Sequence, residues 1–373
     1  MQTLTRRQLG LGGAAALGGA AALAAAASST LLQPAGGTTM RLGLGAMKPT
    51  NLRIGAILPT SPWDAELPRR LVAGLREALA APGWLSTEIV ERDVEGGIIG
   101  IQQAGSELLA EDVDVLLAVT NPLAADRVVI DASDAAVPLL VSTFGAMTAR
   151  GLGRPEVPAV VHGLHMADAG AALGAWTVRH NGPRVGVLAR DREAMFDLLS
   201  EFGRGVTSAG GTLVTVEVVH EVGQVGDALD RMHAAGIDTL HLEVGGVDAP
   251  TYLDVVTSSS VAGLPRTAGP SAGDASATSC ASWGSGQDPA HQLGVETGSL
   301  LTAAVRRGRG RVAPMAGLSF TTARGTVSID PRTGVSSGPV FLSGSADVVA
   351  VPPGAHGSLV QPVTGVLSEY GCF

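Results

Sequence analysis

Short apolar runs with no polar face alternate along this chain with segments whose apolar residues recur at helical spacing, and the alternation occurs twice. LRIGAIL (52–58), the run VDVLLAV (113–119) and VPLLVST (137–143) are strand-length and lack a solvated face. Such runs suit strands covered by helices on both sides. Between them, Asp64 to Ala81 carries Leu67, Leu71, Gly74, Leu75, Ala78 and Leu79 at helical spacing, with Pro68 near its start. TEIVERD reads as a strand, and Ile99–Leu109 and Leu123–Ser133 read as helices. The rhythm breaks at GAMTARGLGRPEVP (145–158) and restarts. Helix Ala167–His180, strand RVGVLA, helix Glu193–Ala209, strand TLVTVEVV, helix Gly226–Ala235, strand TLHLEV and a helix around Tyr252–Val256 follow. Repeated β-α units of this kind predict α/β architecture with doubly wound parallel sheets, here in two successive lobes of similar plan. A Ser/Gly/Ala-rich interlude, Ser271–Gly286, precedes one more amphipathic helix, Gln292–Arg306. The stretch GLSFTTARGTVSIDPRTGVSSGPVFL reads as strands with turns at Arg324-Gly325 and Asp330-Pro331.

The first residues set the compartment. Arg6 and Arg7 precede an uncharged Gly/Ala/Leu run with small residues around Ala25 and Ala27. This is the order of a charged region, an apolar region and a cleavage site, and the twin arginines resemble a Tat-type export signal. The alternative is a membrane anchor, for which the Gly/Ala run is weakly apolar. The expected organisation is therefore a signal peptide over 1–27 and a tether over 28–50. Removing residues 1–27 leaves 23 basic and 34 acidic residues, a net charge of −11.

That balance excludes a nucleic-acid partner, which needs a basic face. Lys48, in the tether, is the single lysine, so a P-loop, a Schiff-base lysine and a Ser-x-x-Lys dyad are all ruled out. Cys280 and Cys372 are the only cysteines, which excludes a CxxC site and, in an exported chain, suggests one disulfide stapling the C-terminal tail. Two buried free thiols are the alternative. No cofactor is expected.

Three motifs invite chemistry. AGPSAGD (268–274) fits G-x-S-x-G with Ser271 as the nucleophile. An elbow needs a helix directly after the serine, and Pro270 with the following Ala, Ser, Thr and Gly residues argue against one. HGLHMAD places His162 and His165 at i, i+3, half of a metal site without further ligands at suitable spacing, so a surface or hinge role is expected. GGIIG (96–100) lacks the spacing and the downstream acid of a dinucleotide fingerprint. Glu91 and Asp93 read as a solvated sheet edge.

What remains is positional. In an open α/β sheet, ligands bind outside the carboxyl ends of the strands. Those ends carry Thr60, Ser61, Trp63, Thr120, Asn121, Ser142, Thr143 and Ala146–Thr148 in the first lobe. The second lobe offers Arg190, Asp191, Phe196, Glu243, Gly245 and Ser271. These are groups for holding a small polar ligand rather than a nucleophile–base set.

From Leu52 to about Val349 the chain resembles the type I periplasmic binding proteins, in particular the leucine/isoleucine/valine-binding branch of ABC importers. The resemblance is carried by LRIGAILPTSPWDAEL, ERDVEGGIIGIQQAGSELLAEDVDVLLAVTNPLA, VPLLVSTFGAMT, GPRVGVLARDREAMFDLLSEFGRGVTSAGGTLV and GLSFTTARGTVSIDPRTGV, in that order and spacing. It implies two lobes joined by three crossovers, near 160–163, 273–290 and 330–340. The first lobe would comprise 51–161 plus 287–332, and the second 162–286 plus 333–373. It implies a ligand gripped by Thr120, Asn121, Ala146 and Thr148, with Trp63 in contact, and by Met195 or Phe196 from the second lobe. Ser271 stands where the family places an acid for an α-ammonium, with Asp274 or Glu243 as substitutes. The expected protein is an exported, monomeric solute-binding protein serving an ABC permease, without covalent chemistry. An exported serine hydrolase using Ser271, or a ligand sensor docking on a receptor, are the alternatives.

Overall fold

The computed structural model describes residues 50–60, 66–94, 97–120, 122–143, 159–190, 198–244, 249–269, 277–281, 288–343 and 348–351. The signal and tether expectations therefore lie outside the described residues. So does the Cys280–Cys372 pairing, since the Cys280 side chain and Cys372 are not described.

Five parallel strands form the first sheet: β1 (Thr50–Pro59), β2 (Leu85–Val94), β3 (Val115–Val119), β4 (Leu139–Thr143) and β5 (Ala159–Gly163), in the order β2-β1-β3-β4-β5. The connecting helices are α1 (Leu67–Ala80), α2 (Gly97–Leu109) and α3 (Pro122–Asp134). All five residues of β3, of β4 and of β5 are buried, as expected of strands covered on both faces. At the edge, β2 alternates exposed and half-buried positions, and its Glu91 pairs with Arg76 of α1 at 2.5 Å. The solvated-edge reading of Glu91 holds. Two apolar clusters cover the two faces. One gathers Leu71, Leu75 and Leu79 of α1, and the other Ile101, Leu108, Val128 and Val129 of α2 and α3.

The second sheet repeats this plan. Strands β6 (Arg184–Arg190), β7 (Thr212–Val219), β8 (Thr239–Glu243), β9 (Arg266–Ala268) and β10 (Thr278–Ala281) run parallel in the order β7-β6-β8-β9-β10. Helices α4 (Met166–His180), α5 (Leu198–Ser208), α6 (Val225–Ala234) and α7 (Ala249–Thr257) accompany them. Helix α8 (Pro289–Arg307) then packs back on α1 of the first unit. A three-stranded antiparallel sheet follows: β11 (Ser319–Thr322), β12 (Gly325–Ile329) and β13 (Ser336–Ser337). Its Phe320, Val327 and Ile329 join the core under the first sheet. Finally β14 (Val340–Ser343) and β15 (Val348–Val351) extend the second sheet antiparallel beyond β10.

Four strands go beyond the sequence reading: AVVHG is β5, the last strand of the first sheet, RTA is β9, TSCA, inside the Ser/Gly/Ala interlude, is β10, and VVAV is β15. All are short and owe their place to neighbours rather than to pattern.

Glycine permits one recurrent contact. A Cβ on Gly294 of α8 would overlap the Leu71 carbonyl oxygen of α1, and one on Gly205 of α5 would overlap the Ala171 carbonyl oxygen of α4. In each unit two helices thus approach backbone to backbone.

Candidate functional site

In a doubly wound sheet the crevice opens where the strand order reverses. In the first sheet that point lies between β1 and β3. Thr60, just past β1, donates from its backbone N–H (3.0 Å) and from its hydroxyl (3.1 Å) to the Val94 carbonyl, which ties the ends of β1 and β2 together. Thr120, just past β3, is anchored by its N–H on the Ser142 carbonyl at 3.1 Å. Its Oγ1 is buried and has no hydrogen-bond partner among the described residues. A buried hydroxyl without a partner costs about 1–3 kcal/mol. Ser142, at the end of β4, is not such a group, because its Oγ lies 2.9 Å from Thr297 Oγ1 of α8.

In the second sheet the reversal falls between β6 and β8. Arg190 ends β6 and stacks over the Tyr252 ring of α7 at 5.7 Å. Glu243 ends β8 and is buried, with 4% of its surface exposed. Its Oε1 lies 2.9 Å from Nε2 of His241, two residues earlier on the same face of the strand. The His241 Nδ1 lies 3.0 Å from Thr267 Oγ1, and the imidazole stacks on Phe202 with ring centroids 3.6 Å apart. The carboxylate lies over the backbone of Gly269, where a Cβ would overlap Oε2. No described residue donates to that oxygen.

Of the sequence-derived ligand residues, Thr120 and Glu243 thus stand at the two reversal points. Trp63, Asn121, Ala146, Thr148, Phe196 and Ser271 lie outside the described residues, as do Met195 and Asp274. His241 was missed, although its spacing from Glu243 in an otherwise apolar strand was visible.

A second polar cluster gathers residues of β5, the N-terminus of α4, α8, the β11–β12 turn and β13. His162 and His165 are buried, at 0% and 3% exposure, so a surface role is corrected. Arg324 at the β11–β12 turn is buried as well. It donates to Glu296 of α8 from Nε (2.9 Å) and Nη2 (2.8 Å), and to the carbonyls of Gly163 and Pro339, each at 3.2 Å. Its Nη1 donates to His165 Nδ1 at 2.6 Å. That leaves the proton of His165 on Nε2, donated to Ser336 Oγ at 3.1 Å, and the Ser336 hydroxyl faces His162 Nδ1, also at 3.1 Å. His162 Nε2 lies 3.5 Å from Glu296 Oε2 but makes no hydrogen bond among the described residues. Burial, the Arg324 charge and the neighbouring His165 hold the His162 imidazole neutral, well below its ordinary titration range. Burial and Arg324 lower His165 to about 3, against a smaller opposing effect of the hydrogen bond with Ser336. His165 has φ 57° at the N-terminus of α4, a left-handed conformation uncommon for a side-chain-bearing residue. No group of three or more metal-ligating side chains occurs among the described residues, and no described helix is long and apolar enough to cross a membrane.

No family model matches the sequence, and no curated protein matches it. Solved structures do. An ABC-transporter solute-binding protein from R. palustris in complex with benzoate superposes with a TM-score of 0.63 at 20% identity, covering 81% of this chain and 96% of that one. An ABC transporter substrate-binding protein from Sphaerobacter thermophilus gives a TM-score of 0.65 at 16% identity, with the same 81% and 96% coverage. A leucine-binding protein from Thermotoga maritima gives 0.57 at 17% identity, covering 81% of this chain and 98% of that one.

Proposed function

We propose that this chain, whose fold is that of the type I periplasmic binding proteins, is an exported solute-binding protein that holds a small polar ligand between two lobes. The lobes would be 51–161 with 287–332, and 162–286 with 333–373. The ligand would be amino-acid-like, an amide or a carboxylate, delivered to an ABC permease without covalent chemistry. The observation that carries the reading is the partnerless buried hydroxyl of Thr120 at the first sheet's reversal point. Glu243 occupies the reversal of the second. Asn121, Ala146, Thr148, Trp63, Phe196 and Ser271 would complete the site from the adjoining loops.

The hydrolase alternative loses support from the second sheet. Only residues 269–277 separate the parallel strands β9 and β10. A nucleophile elbow at Ser271 needs a helix in that interval, and a helical crossover between parallel strands takes about a dozen residues or more. A thermal-shift screen of amino acids, amides and carboxylates tests the proposal, since a ligand at 100 times its dissociation constant adds about 2.7 kcal/mol. No stabilisation by any compound, together with stoichiometric labelling of Ser271 by a serine-reactive phosphonate, would overturn it.

A further inference from the structure

We infer that β7, the edge strand of the second sheet, is the surface through which two copies of this chain associate, pairing antiparallel across a two-fold axis at Glu217. The inference stands apart from the solute-binding reading and replaces the monomer expected from the sequence.

Each sheet has one of its edges formed by the second strand of its unit, β2 in the first and β7 in the second, and the two edges differ. On β2, Glu91 pairs with Arg76 at 2.5 Å, Arg92 with Glu107 at 3.5 Å, and Glu88 with Arg53 at 3.5 Å. Charges of this kind keep an edge strand from pairing with another chain. In their place β7 carries Val216 and Val218, 42% and 45% exposed, and no strand lies beyond it among the described residues. The two valines stand beside Val187 and Ala189 of β6 and share one face of the sheet, while Glu217 lies on the other.

The length available for pairing is set by a bulge. The register of β7 against β6 slips at Val214, between Leu213 and Thr215. A bulge bends its strand and interrupts the ladder, so the regular stretch is Thr215–Val219, whose middle residue is Glu217. An antiparallel copy centred there sets Val216 of one chain opposite Val218 of the other, and the two-fold repeats that pair.

The charges favour a second copy over an unrelated strand. Glu217 Oε2 accepts from Arg231 of α6 through Nε at 3.2 Å and Nη2 at 2.6 Å, and Oε1 accepts from the Thr215 hydroxyl at 3.1 Å. The Arg231 hydrogen bonds lower the pKa of Glu217, which keeps it charged. The Arg231 side chain is 58% exposed and free to turn towards a neighbour. At the axis two carboxylates and two guanidinium groups then gather with balanced charge, an arrangement that a copy brings by symmetry. The two seven-stranded sheets run on as one, within the size that open α/β sheets reach.

Light scattering on the chain as it elutes from a sizing column, loaded from about 1 μM to about 1 mM, tests this. The wild-type protein is expected to pass from monomer to dimer mass as concentration rises. Val216→Lys with Val218→Lys, which faces lysine with lysine, should weaken association by at least about a hundredfold. Glu217→Arg should weaken it too by collecting four cations at the axis, and Glu217→Arg with Arg231→Glu should restore it, because the reversed pair is again self-complementary. Ile99→Lys on α2, where the isoleucine is 79% exposed, should leave association unchanged. Melting each variant confirms that it is folded. Monomer mass throughout, a dimer that survives the two lysines, one that Ile99→Lys weakens equally, or a charge reversal that fails to restore association would each overturn the inference.

Discussion

Replacing Arg324 with alanine should destabilise the folded chain by about 3–5 kcal/mol, the usual consequence of leaving one member of a buried ion pair alone. The structure supports the upper part of that range. The Arg324 side chain is 1% exposed and that of Glu296 is 0% exposed, with two of the Arg324 nitrogens on the carboxylate. The same guanidinium satisfies the carbonyls of Gly163 and Pro339 and the Nδ1 of His165. Its loss therefore leaves a buried carboxylate without its counter-ion, with Gln292 still donating to it at 3.2 Å, and frees the carbonyls of Gly163 and Pro339. At roughly 2–4 °C per kcal/mol for a domain of about 150–250 residues, the melting temperature should fall by about 10 °C. Urea unfolding followed by circular dichroism measures the free energy directly. The double variant Arg324→Met with Glu296→Leu separates pairing from packing. Buried ion pairs replaced by apolar residues of similar volume are often neutral, so the double variant should be more stable than Arg324→Ala alone. A loss below about 1 kcal/mol for Arg324→Ala, or a double variant costing the sum of the two single ones, would refute the Arg324–Glu296 pair as a stabilising unit.

Both histidines of this cluster are neutral in the fold, with His165 lowered to about 3 and His162 well below its ordinary value. The unfolded chain takes up protons near pH 6.5 and the folded chain does not, so stability is full above about pH 6.5 and declines as pH falls towards 3. The slope should approach about 1.4 kcal/mol per pH unit per histidine. His165→Asn, which tolerates the left-handed backbone, should flatten it, and an unchanged slope would show that these rings do not carry the effect. Thr120→Val should leave the empty protein as stable or more stable, because it removes an unpaired buried hydroxyl, while reducing the stabilisation given by ligand. A drop in the melting temperature of the empty protein would mean that the hydroxyl already has a partner. Gly294→Ala and Gly205→Ala should each cost about 1–3 kcal/mol by forcing the paired helices apart, read by the same urea titration, and neutral variants would show that the helices yield. Alkylation of Cys280 and Cys372 is expected only after reduction, and labelling of the unreduced protein would exclude the bridge.

The doubly wound plan was legible because it is written in local terms. Burial on both faces makes β3 and β4 uniformly apolar, and helical spacing marks α1 to α8, whatever lies around them. Glu243 was legible in the same way, as a polar residue closing an apolar strand. Thr120 was visible only as a strand-end hydroxyl. That it lacks a partner depends on everything packed around it. AVVHG and TSCA are too short to declare themselves. They are strands because β4, β9 and β14 offer backbone groups beside them. Arg324 read as a turn residue, and a turn would ordinarily leave an arginine in water. Its burial is set by Glu296 and His165, 28 and 159 positions away in the chain. The sequence by itself determined which of the longer segments become strands and helices, because periodicity and burial act over a few residues. Only the tertiary structure decided which polar groups meet in the interior, because a buried charge is tolerable only where distant segments bring it a partner.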